Sequence, residues 1–156
     1  MRAGFTVLGL GYVLSQFYRA FLAVLAPGLT AELGMGTSDL ALASGLWFAV
    51  FAAMQLPIGF GLDRIGPRRT AGWLFLVGAG GGAALFAAAQ TPAMVVAAMA
   101  LLGLGCAPVL MAALYIFGRS FAPAAFASLA GLMLGVGSAG NLASAAPLAW
   151  AAEAFG

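Results

Sequence analysis

The sequence predicts an all-α transmembrane protein of five membrane-spanning helices. Three observations carry this reading. Of 156 residues, 64% are hydrophobic and only 6% are charged. A soluble domain carries about 25% charge, and so few charges cannot cover a folded surface in water. A hydrocarbon core of about 30 Å takes roughly 20 helical residues to cross, and apolar stretches of that length occur five times between turn signals. Five of the six arginines, finally, fall at one end of alternate stretches.

The first span is expected over 5–27, ending at the Pro27-Gly28 breaker. A cleaved leader is a poor reading of it. The stretch is too long, it carries Tyr12, Gln16 and Arg19, and no small-x-small cleavage site follows. The second span, 40–62, is entered through Thr37, Ser38 and Asp39, side chains suited to capping a helix start. The third covers 70–89 and the fourth 93–117, with Pro92 at its start, where a missing N–H costs little. These two nearly touch at Gln90-Thr91-Pro92, but fused they would run to about 48 residues, far too many for one crossing. The fifth covers 124–150, with Pro123 at its start. Within the fourth, Cys106 reads as a small buried residue, and Pro108 as a kink through a lost backbone bond. Trp47, Trp73 and Trp150 are candidates for interfacial or packing positions.

Composition also excludes functions. There is no histidine, hence no imidazole base or metal ligand. One cysteine makes neither an intrachain disulfide nor a cysteine-based zinc site. No nucleophile–base pair, paired carboxylates or metal cluster is visible. No enzyme, cofactor or metal is therefore expected. The pI near 9.2 comes from a few scattered arginines, not from a nucleic-acid face.

With the N-terminus in the cytoplasm, Arg2, the Asp63–Arg69 region and Arg119 share one side and hold five of the six arginines. The other side holds Glu32, Asp39 and Glu153. This is a positive-inside layout, and five spans then put the C-terminus outside. The expected location is the cytoplasmic (inner) membrane of a bacterium, with the lipid bilayer as a partner and no separate soluble domain.

Lipid gives helices no hydrophobic reason to associate, so small residues must allow close approach. Gly78 and Gly82 in the third span, and Gly131 and Gly135 in GxxxG spacing in the fifth, are the candidate packing positions, followed by Gly137 and Gly140. The 23 glycines are about twice the usual share of ~7%.

The second span ends in Gln55-Leu56-Pro57-Ile58-Gly59-Phe60-Gly61-Leu62, and Asp63-Arg64-Ile65-Gly66-Pro67-Arg68-Arg69-Thr70 follows. This resembles the signature between helices two and three of the major facilitator superfamily (MFS), Gly-x-x-x-Asp-Arg-x-Gly-x-Arg-Arg. It maps onto Gly59, Asp63, Arg64, Gly66, Arg68 and Arg69 without a miss. The resemblance implies a gating role: the family's aspartate meets a helix of the protein's second half and latches the cytoplasmic gate. A simpler reading makes the arginines a positive-inside anchor to lipid phosphates, but an anchor has no need of Gly59, Asp63 and Gly66. Gly103-Leu104-Gly105 is similar to the family's helix-four motif. Met99 stands where that motif has an arginine, so the arginine's role does not carry over.

At 100° per residue, Tyr12, Ser15, Gln16 and Arg19 fall within about 100° of arc on one helix face. Gln55 and Asn141 are candidates to join this polar stripe. An arginine at mid-membrane costs about 2.5–3.5 kcal/mol on insertion scales. Arg19 therefore either faces a water-filled path, where it meets an anionic solute or a coupling carboxylate, or snorkels and pairs structurally.

The resemblance implies a secondary transporter that moves a small solute, with or without a coupling ion, by alternating access. Such transporters are built from inverted three-helix repeats, two to each six-helix half. Five spans supply one repeat and two helices of the next: part of the N-terminal half, residues 1–156. The expectation is an N-terminal fragment, inactive alone, that needs its C-terminal helices or a partner membrane chain. The other expectation is a small accessory protein that associates through its glycine-rich faces.

Overall fold

The computed structural model describes residues 2–155, apart from the side chains at positions 2, 3, 146, 152, 153 and 155. The Arg2 and Glu153 side chains, which entered the charge layout, thus lie outside the described residues. Outside short turns the described chain is helical, and five stretches are long and apolar enough to cross a membrane: Gly4–Leu33, Thr37–Arg64, Pro67–Ala87, Pro92–Ser120 and Pro123–Ala151. They match the five expected in number and order, and most run further.

Pro27 does not end the first span. It lies inside a helix that runs Arg2–Leu33. A proline forfeits one backbone bond, which a long helix anchored on both sides tolerates. The chain turns at Gly34 instead, where φ is +65°, a conformation glycine adopts without penalty. Met35 then folds back, its N–H donating to the Leu29 carbonyl at 3.4 Å, and its side chain is fully buried.

The second span begins at Thr37 with Gly36 as its cap, not with one of the three polar side chains. Asp39 acts from inside the first turn, accepting the Gly36 N–H at 3.0 Å. A single-residue turn at Met54 divides the span into Thr37–Ala53 and Gln55–Arg64. Its cause is Pro57, which offers no N–H to the Ala53 carbonyl one turn back. The helix then continues through Asp63 and Arg64, so the expected loop shrinks to Ile65 and Gly66. The Ile65 and Gly66 N–H groups both reach the Gly61 carbonyl, at 2.8 and 3.1 Å. Gly66 has φ +97°, and Pro67 opens the third span.

In the third span, Phe75–Gly80 widens into a π-helical turn before the α-helix resumes at Gly81–Ala87. The fourth opens at Thr91, whose hydroxyl accepts the Met94 N–H at 3.4 Å, and runs unbroken through Pro108 to Ser120. The fifth continues through Pro147 to Phe155.

The fourth span is the axis of the bundle: the other four all touch it, and the first lies along the fifth. Glycines set these distances. A Cβ on Gly78 would sit 2.5 Å from the Gly105 nitrogen, and one on Gly82 would sit 2.8 Å from the Leu102 nitrogen. A Cβ on Gly103 would strike the Trp47 carbonyl, and one on Gly140 the Val13 carbonyl. Gly131 and Gly135 are different. Both are exposed, with nothing within 4 Å of an added Cβ, so among the described residues they pack against no helix. Gly137 and Gly140 form the seam on the first span instead, because six residues from Gly131 to Gly137 turn the helix about 120° away.

Candidate transport site

Two places carry chemistry: the turn after the second span, and a polar face on the first.

At the turn, Asp63 occupies the last helical turn and is well exposed. Its carboxylate lies 3.7 Å from the Arg119 guanidinium at the end of the fourth span. Tyr115 stands one helical turn before Arg119, and its ring lies 4.5 Å beneath the Arg119 guanidinium. Asp63 was expected to wait for a partner from outside these five spans; within this chain it meets Arg119. Arg64 covers the Phe60 ring at 4.7 Å. Gly59 faces Met111 of the fourth span, and Gly61 lies against Thr70. Arg68 and Arg69 are exposed. Four arginines therefore share this end with one carboxylate among the described residues. The Arg119–Tyr115–Asp63 cluster escaped the sequence reading. Only the four-residue spacing of Tyr115 and Arg119 hinted at half of it.

On the first span the four stripe residues go to different neighbours. Tyr12 is buried with its ring over Gly137 of the fifth span. Gln16 packs beside Gly140, its Cβ 3.0 Å from where a Cβ there would lie. Ser15 is buried next to Cys106 of the fourth span. Arg19 emerges from this seam, exposed, with its guanidinium 5.3 Å from the Phe48 ring of the second span. Tyr12 lies within electrostatic range of it.

The two outlying candidates are not drawn in. The Gln55 amide turns back to donate to the Phe51 carbonyl at 2.8 Å. Asn141 is exposed, and its backbone carbonyl accepts the Ser144 hydroxyl at 2.8 Å. Phe48, which the sequence did not single out, lies beneath the Arg19 guanidinium. Met99 is buried in the apolar core beside Trp47 and Leu102, a place without a partner for an arginine's charge. Among the described residues no group of three or more metal-ligand side chains forms.

A bundle of five apolar helices long enough to cross a membrane, with an arginine-rich turn at one end, defines an integral membrane protein. The sequence profile of the Major Facilitator Superfamily matches residues 8–156. The chain belongs to that family. No curated protein and no solved structure matches it.

Proposed function

We propose that the chain forms one wall of a secondary transport path, in which a small solute crosses by alternating access along the face that carries Arg19. The observation that carries this is the place of that arginine midway along the first helix. It stands 15 residues from Gly4 and 14 from Leu33, about 22 Å and 21 Å along the helix axis. With the helix centred on a hydrocarbon core of about 30 Å, Arg19 stands near the midplane, where snorkelling to an interface is hard and a lipid-facing charge is expensive. A water-filled path relieves the cost. Transporter sites of this architecture lie near the bilayer midplane, where repeats meet. Tyr12, Ser15 and Gln16 back the arginine from the seams, while Gln55 and Asn141 are the weaker candidates.

In this reading residues 1–156 belong to an N-terminal helical bundle, and further helices complete the path. The Asp63–Arg119 end acts as a gate latch, and the arginines hold it on the cytoplasmic side of the inner membrane. Any coupling ion binds the same face.

The test is substitution at the chromosomal locus, Arg19→Ala and Arg19→Lys, with accumulation of a panel of labelled small solutes compared with the parent strain. Loss of one solute with alanine supports the proposal; unchanged uptake of every solute in both variants dismisses it.

The outward-facing Gly131 and Gly135 favour a second reading, an accessory protein whose fifth span docks on another transmembrane helix. Replacing both with leucine would then abolish co-purification with a larger membrane protein while leaving the solute panel untouched.

A further inference from the structure

Arg19 is short of a counter-charge inside the bundle. The described carboxylates are Glu32, Asp39 and Asp63. Glu32 is 13 residues along the same helix, about 20 Å away. Asp39 caps the start of the second span, and Asp63 is engaged by Arg119 at the far end of that span. Among the described residues the Arg19 side chain has neither a hydrogen bond nor an ion pair. Its guanidinium lies over the face of Phe48, itself 45% exposed. The aromatic ring steadies the guanidinium electrostatically but satisfies none of its five donors.

A planar fork of free donors beside an open aromatic surface is suited to one kind of guest. The fork matches a carboxylate in two parallel hydrogen bonds, and Phe48 offers an apolar platform to the body of the same molecule. The charge count sets the valence. No second cation lies near mid-span among the described residues, so one guanidinium balances one negative charge, and a dianionic phosphate would keep a surplus charge in a low-dielectric setting. We infer that Arg19 and Phe48 form the binding site for an organic monocarboxylate, the carboxylate on the Arg19 fork and its apolar part against Phe48. This rests on the proposed transport path and names its substrate class.

The experiment uses the protein expressed from its chromosomal locus and kept in native membrane vesicles. Each arginine's reaction with phenylglyoxal is followed by mass spectrometry, in the presence of benzoate, its neutral isostere benzamide, or inorganic phosphate. The expected result is that Arg19 reacts and that benzoate slows it roughly tenfold at ten times its dissociation constant. Benzamide and phosphate leave it unchanged, and Arg68 reacts at one rate throughout. If Arg19 reacts but benzoate gives no protection, or benzamide or phosphate protects equally well, the carboxylate assignment is overturned while the path itself stands. If Arg19 fails to react where Arg68 does, lipid shields it, and both the assignment and the path fall.

Discussion

The Arg119 guanidinium stands 3.7 Å from the Asp63 carboxylate, and this pair joins the end of the second span to the end of the fourth. Both side chains are about two-thirds exposed, so water screens the attraction. Exposed pairs contribute about 0.2–1 kcal/mol. A double-mutant cycle of Asp63→Asn and Arg119→Gln, read by thermal unfolding in detergent, is expected to give a coupling below about 1 kcal/mol. A coupling of several kcal/mol would make the pair a structural clamp rather than a contact weak enough to open.

The third and fourth spans meet backbone to backbone at Gly78 and Gly105, where the third widens into its π-helical turn. A methyl group added at Gly105 has no room, and overpacking of this kind costs about 1–3 kcal/mol. Gly105→Ala should lower stability by that amount. Gly131→Ala, in open space, should leave it unchanged or raise it by up to about 1 kcal/mol through helix propensity. Equal effects from the two would show that the seam does not lie where the glycines put it.

Gly34 holds the turn between the first two spans with φ +65°. Any other L-residue pays about 1–2 kcal/mol there. Gly34→Ala should lower the unfolding temperature, whereas Gly28→Ala, inside the helix with open space around it, should not.

Orientation is tested at two exposed positions on opposite ends of the second span, Ser38 and Ile65. The positive-inside layout predicts that a cysteine at 38 reacts with a membrane-impermeant maleimide in intact spheroplasts. A cysteine at 65 should react only after lysis. The native Cys106 is buried and gives little background. The reverse pattern would invert the topology.

The number and order of the spans were legible because hydrocarbon thickness fixes the length of an apolar stretch, and nothing in the bundle overrides it. The ends were less legible. Pro27 looked like a stop, but a helix ends where the backbone finds an alternative for its last carbonyls, and Gly34 with Met35 supplies that seven residues later. The GxxxG pair at Gly131 and Gly135 matched a packing motif by spacing alone, and spacing does not say which face meets a neighbour. For the site, one helix's periodicity placed Arg19 on the same face as Tyr12, Ser15 and Gln16. It did not show that Tyr12 and Ser15 would be consumed by packing, or that Phe48 would lie under the guanidinium. Those facts, like the meeting of Asp63 with Arg119, depend on how separate spans are juxtaposed.

The central claim is that the Arg19 face opens to water on both sides of the membrane in turn. The direct measurement is the reaction of Arg19→Cys, in a Cys106→Ala background, with an impermeant thiosulfonate in right-side-out and inside-out vesicles. Leu10→Cys, on an exposed apolar part of the same span, is the control. The account predicts that position 19 is labelled in both preparations and position 10 in neither. Position 19 silent in both, like position 10, would contradict it.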